Sequence, residues 1–223
     1  MTESQSRPRA MAPEDWKQLR LGDVATFKNG LNFTETDDGE AIKIVSVSDF
    51  KRHTKLASTE GLATIRVSRR VQDGDLLASG DLLFVRSNGN KALVGRCLFF
   101  PTVSERLAYS GFTIRGRVNR SVLLPEFASQ LMRSETVRQQ IAVGRGGTGI
   151  SNLSQDALAN ISILVPSLKE QEELARVLDA TDRAINISER LLEYSRKRKQ
   201  VLLNELLTGA RRLPDRRNQR PPE

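Results

Sequence analysis

Residues 167–207, SLKEQEELARVLDATDRAINISERLLEYSRKRKQVLLNELL, contain neither proline nor glycine and are rich in Leu, Glu, Arg and Ala. The pattern predicts one long helix. Ser167 stands as N-cap with Glu170 three residues on, the capping-box spacing. Leu178, Ile185, Leu192 and Leu206 fall at multiples of seven, with Lys199 interrupting the series. Leu174, Thr181, Ser188, Ser195 and Leu202 form a second such series four positions earlier, and Val177, Ala184 and Leu191 widen the stripe. Apolar positions repeating this way among charged ones favour packing on another helix. At about 1.5 Å per residue the helix would span roughly 60 Å, more than one domain of this size needs. A core helix of a single globule is the alternative. The small and polar seam residues suit a close-packed antiparallel pair, or a helix that also touches other subunits. Gly209 supplies the stop.

Without this helix and the tail after it, about 165 of the 223 residues remain, enough for one sizeable core. The formal net charge is +8. Residues 1–168 carry 22 basic and 17 acidic side chains, and residues 169–223 carry 13 and 10, so the excess is spread along the chain. A basic chain suits a polyanionic partner, most simply nucleic acid; a solvated basic surface is the bland alternative. Cys97 is the single cysteine, which excludes a disulfide framework and a cysteine metal site. It lies in the apolar run LVGRCLFF and is expected to be buried. No apolar run reaches membrane-spanning length, and residues 1–15 lack the apolar centre of a signal peptide. A cytoplasmic setting and a disordered leader over 1–15 are the expectations.

Along the chain, WKQLRLGDVATF (16–27) predicts a short strand and one helical turn. Lys28, Asn29 and Gly30 predict a turn with a cation at its tip, and 34–40 a loop. AIKIVSV (41–47) alternates as a strand and leads to a basic loop carrying Lys51, Arg52, His53 and Lys55. His53, the sole histidine, has no nearby ligand cluster. Residues 64–71 predict a strand with a basic face. LLFVR (82–86) and 92–100 predict a hairpin whose tip carries Arg86, Ser87, Asn88, Asn90 and Lys91. Arg, Lys and Asn are side chains that read base edges, although an ordinary solvated turn has the same composition. In YSGFTIRGRV (109–118), Phe112, Ile114 and Val118 alternate with Arg115 and Arg117. Pro125, Ser134 and Ser154 each start a helix. Between the last two lies VGRGGTGISNL (143–153), whose glycines let backbone N–H groups approach phosphates closely. It lacks the lysine and spacing of a P-loop, which argues against a nucleotide fold. ISILV (161–165) predicts a buried strand ending at Pro166.

The order of these pieces resembles the specificity subunit of Type I restriction–modification systems. The resemblance is carried by LGDVATFKNG (21–30), GDLLFVRSNG (80–89), YSGFTIRG (109–116) and GRGGTGISNLSQDALANISILVPSLKEQEELARVLD (144–179). LLNELLTGARRL (202–213) matches the usual ending. It covers about residues 16–213. The resemblance implies an α+β fold: a β-rich target-recognition domain over 16–166, a coiled-coil-like spacer helix over 167–208, and a basic flexible tail over 209–223. It also implies a non-catalytic subunit that needs no cofactor and binds double-stranded DNA. The chemistry would belong to a partner methyltransferase subunit, which uses S-adenosylmethionine to methylate adenine, and to a restriction subunit driven by ATP. Family members carry two recognition domains and two spacer helices; this chain has one of each. Two copies pairing antiparallel through the helix would then read a two-part palindromic site.

On this reading, base contacts are expected from Arg86, Ser87, Asn88, Asn90, Lys91, Thr148 and Asn152. Phosphate contacts are expected from Lys28, Lys51, Arg52 and Arg145, with backbone donors at Gly146 and Gly147. Subunit packing is expected from Leu174, Leu178, Thr181, Ile185, Leu192, Leu202 and Leu206. Two other classes compete. A stand-alone nuclease or methyltransferase would need an acidic metal cluster or an NPPY-type motif, and the sequence has neither. A coiled-coil adaptor would carry its basic charge incidentally.

Overall fold

The computed structural model describes residues 13–32, 35–51, 53–67, 71–143 and 152–212, without the side chains of 35–38. Arg52, Arg145, Gly146, Gly147 and Thr148 lie outside them, as do most of the expected leader and tail. The fold is mixed α+β with one long C-terminal helix. Two compact units divide the chain, one ending at Ala175 and one starting at Arg176.

The first unit opens with β1 (Lys17–Arg20), α1 (Leu21–Val24) and β2 (Ala25–Asn29). It continues through β3 (Glu35–Val45), β4 (Ala63–Val67), β5 (Leu82–Val85), β6 (Cys97–Phe99), β7 (Leu107–Tyr109) and β8 (Thr113–Val118). Then follow α2 (Pro125–Leu131), α3 (Glu135–Val143), α4 (Gln155–Ala159), β9 (Ser162–Val165) and the start of α5 (Leu168–Leu207). The central sheet runs β2-β8-β5-β6, antiparallel throughout. A second sheet runs β4-β3-β7, with β3 and β7 parallel, and β1 pairs with β9.

All four residues of β5 are buried, because the central sheet separates two cores. Leu82 and Phe84 enter one with Ile114, Leu123, Phe127 and Leu158; Leu83 and Val85 enter the other with Phe50, Leu98, Phe100 and Tyr109. The period-two alternation of a strand thus supplies both faces at once, which is why LLFV reads as an unbroken apolar run. Gly30 sits where β2 leaves the sheet; a Cβ there would stand 2.1 Å from the Ser110 carbonyl oxygen, so this crossing admits only glycine.

Several expectations shift. Residues 35–40 are strand, the irregular first part of β3, where both Glu35 and Glu40 pair with Val67. The second arm of the hairpin starts at Cys97 rather than at 92, because Lys91–Leu93 form a 3-10 turn and Gly95 has a φ of 84°. Lys28 lies within β2 rather than at a turn tip.

Three caps are as read from the sequence. Pro125 is the first residue of α2, and the hydroxyls of Ser134 and Ser154 accept from the Val137 and Ala157 N–H groups. Ser167 caps α5 by accepting from the Glu170 N–H at 3.3 Å. The Glu170 carboxylate, however, accepts from the Trp16 indole at 3.1 Å instead of completing the reciprocal box. Gln171 is fully buried: its amide donates to the carbonyls of Val122 and Pro166, and its oxygen accepts from the Leu124 N–H. Leu174 and Ala175 pack into the core of the first unit. Leu174, expected above in subunit packing, is thus partly covered within this unit, and the compact unit runs past residue 166.

The second unit continues α5 from Arg176. Leu178, Ile185, Leu192 and Leu206 are exposed, Leu202 is half-buried, and Thr181 returns its hydroxyl to the Val177 carbonyl. Ile187, Tyr194 and Val201 are exposed too. They repeat every seven residues but start nine after Leu178, which places them about 180° away around the helix. Gly209, at a φ of 74°, ends the helix.

Candidate nucleic-acid interface

The predicted hairpin tip and the segment that follows the glycine-rich loop meet. Ser87 and Asn152 form an antiparallel bridge, and the Leu153 N–H donates to the Arg86 carbonyl at 2.8 Å. The β5–β8 ladder continues one step past the sheet, where the Phe112 carbonyl accepts from the N–H groups of Arg86 (2.8 Å) and Ser87 (3.3 Å). The Arg86 guanidinium folds back onto the Gly111 carbonyl at 3.2 Å, so part of its donor set holds the turn. Two segments 65 positions apart in sequence thus share one hydrogen-bonded junction.

The tip itself is an ordered pair of side-chain turns. Asn88 Oδ1 accepts from the Asn90 N–H at 2.8 Å, and Asn90 Oδ1 caps the 3-10 turn by accepting from Ala92 at 3.0 Å. Each carboxamide oxygen already holds one hydrogen bond, whereas bidentate reading of adenine needs that oxygen and the amide together. Asn90 and Lys91 are exposed.

The cations sort into two groups. Lys28 makes an ion pair with Asp75 at 2.8 Å and donates to the Gly74 carbonyl. Arg115 is buried, donates to the carbonyls of Gly74 and Leu76, and lies 5.9 Å from the Tyr109 ring centre. Burial pushes the Tyr109 phenol up to about 12. Arg117 holds the buried Asp81 carboxylate through two contacts of 2.7 Å. Arg106 ties Glu40 to Asp73. These charges are internal ties that a count along the sequence credits to the surface.

Lys51 is exposed at the end of a 3-10 helix over Val47–Lys51. The preceding Phe50 carbonyl accepts from Arg96 in the β5–β6 connection, and the Thr54 and Leu56 backbones bond to Phe99 on β6. The basic loop therefore runs along the same hairpin that carries the predicted readers. Cys97 is buried, and burial pushes its thiol up, as suits a packing residue.

Phe112, expected to alternate with Ile114 inside a strand, instead sits in the turn between β7 and β8 with 63% of its surface exposed. The Ser110-Gly111 pair just before it was the readable signal for that break.

The family described as Type I restriction modification DNA specificity domain matches residues 13–194. The putative type I restriction enzyme MjaX specificity subunit of Methanocaldococcus jannaschii is 26% identical over 88% of this chain and 46% of its own length. The EcoKI specificity subunit of Escherichia coli is 27% identical over 72% of this chain and 35% of its own. Among solved structures, the HsdS subunit of Thermoanaerobacter tengcongensis superposes with a TM-score of 0.61 at 21% identity, over 94% of this chain and 52% of its own. A structure described as the basis of complex assembly and conformational transition of the type I R-M system gives 0.65 at 17% identity, over 89% and 47%. The chain spans less than half the length of the curated relatives it matches. These relatives are specificity subunits, and this chain belongs to the family of Type I restriction–modification DNA specificity domains.

Proposed function

We propose that this chain is the non-catalytic DNA reader of a Type I restriction–modification complex. It selects the site at which a methyltransferase subunit, using S-adenosylmethionine, modifies adenine; a restriction subunit driven by ATP is a further partner. The observation that carries this reading is the junction of Arg86 and Ser87 with Asn152, which joins the two segments whose composition suits base reading. Arg86, Ser87, Asn88, Asn90, Lys91, Thr148 and Asn152 contact bases. Lys51, Arg52 and Arg145, with the backbone at Gly146 and Gly147, contact phosphates. Lys28 can join them only by leaving Asp75.

Two copies pair through α5. Residues 169–193 carry seven acidic and four basic side chains, and residues 196–212 carry one and six. Antiparallel pairing sets these opposite halves side by side, whereas parallel pairing sets like against like. A two-fold axis at Leu192 brings Leu178 against Leu206 and Ile185 against the stem of Lys199. Isologous pairing makes the target two-part and palindromic. The opposite stripe of Ile187, Tyr194 and Val201 remains for the methyltransferase.

Gel shifts on random-sequence duplexes, with and without the methyltransferase, test the reading. Binding should fall linearly with salt on a log–log plot. Lys51→Ala should weaken all duplexes alike and reduce that slope by about one. Absence of duplex binding in both preparations would contradict DNA reading and leave a helical adaptor.

A further inference from the structure

We infer that Phe112 is a specificity-determining contact, an apolar probe that meets the 5-methyl group of one thymine beside the hydrogen-bonding readers; this rests on the DNA-reading function proposed above. Phe112 is 63% exposed, and its carbonyl is bonded to the Arg86 and Ser87 N–H groups at the junction proposed to read bases. The backbone around it is hydrogen-bonded throughout the turn. The Gly111 N–H donates to Leu31 at 2.8 Å, and the Gly111 carbonyl accepts from Arg86. The Phe112 N–H donates to the Ser110 hydroxyl at 3.3 Å, and its carbonyl accepts from both Arg86 and Ser87. Thr113 closes the turn by donating its N–H and its hydroxyl to the Ser110 carbonyl.

Every backbone polar group of Gly111 and Phe112 is therefore engaged within the protein. A partner that covers this turn meets the ring and leaves no backbone group unsatisfied. The backbone beneath the ring is already held by these bonds, so the chain loses little conformational freedom on contact.

The setting suits DNA. Besides the Leu31 backbone, the residues bonded to this turn are Ser110, Arg86 and Ser87, and Ser87 is bridged to Asn152, so the ring stands beside the side chains proposed to read bases. An isolated ring among hydrogen-bonding side chains matches the major-groove edge of a base pair, where the thymine methyl lies beside donors and acceptors. The Phe112 carbonyl holds the Ser87 N–H, so ring and bridge move as one piece.

The test selects bound sequences from a random duplex pool with the full-length wild-type chain, Phe112→Ala and Phe112→Leu. The enriched wild-type motif is then rebuilt with each thymine replaced singly by uracil. One replacement should weaken wild-type binding about threefold to tenfold, the size of one buried methyl. It should leave Phe112→Ala unaffected and Phe112→Leu intermediate. A motif without thymine, a Phe112→Ala chain as sensitive to every replacement as the wild type, or an equal loss on all duplexes would each overturn the inference. If the wild-type chain enriches no motif either alone or with the methyltransferase, the DNA-reading function itself falls.

Discussion

A glutamine at position 171 looks in sequence like one more polar residue on an exposed helix, yet it is the most completely engaged side chain at the start of α5. Its three hydrogen bonds run to Val122, Leu124 and Pro166, none within its own helical turn. Gln171→Leu would leave a buried N–H and two buried carbonyls without this partner. At about 1–3 kcal/mol for each unsatisfied buried group, the loss should reach about 3 kcal/mol or more. Urea unfolding should show it as a lower midpoint at unchanged slope; a midpoint equal to the wild type would contradict the role. The cations teach the same lesson. Lys28, Arg115 and Arg117 read as basic surface, but their partners Asp75, Gly74, Leu76 and Asp81 lie 36 to 47 positions away. No local pattern reveals such pairing.

Elements announced by local chemistry were legible in the sequence. Ser134, Ser154 and Ser167 each mark a helix start through bonds made within one turn, Pro125 marks one by lacking the N–H a helix start leaves unpaired, and the seven-residue period marks α5 itself. Elements set by distant pairing were not. Residues 35–40 become strand only because β4 pairs with them, and 92–96 leave the strand because Asn90 caps a turn and Gly95 takes a positive φ. Periodicity also showed one stripe of α5 and missed the second, which has only three members, Ile187, Tyr194 and Val201, at the same seven-residue spacing. The two stripes have separate roles to test. Leu192→Asp should turn the dimer into a monomer in sedimentation. Tyr194→Arg should leave the dimer intact and abolish co-purification with the methyltransferase. A Tyr194→Arg chain that becomes monomeric, or a Leu192→Asp chain that stays dimeric, would contradict the division of faces.

For the whole molecule, family membership follows from a match over residues 13–194, and the chain spans about half the length of the relatives it matches. One reader used twice would span a two-part target: the proposed pairing through α5 would duplicate the Arg86–Asn152 junction, and both halves of the target would then be the same sequence in opposite orientation. The direct measurement is the map of methylated adenines in DNA from cells that co-express this chain with its methyltransferase. The account predicts two inverted copies of one short motif at a constant gap, with one adenine modified in each. Modified adenines in a single uninterrupted motif, or in two unrelated half-sites, would contradict it.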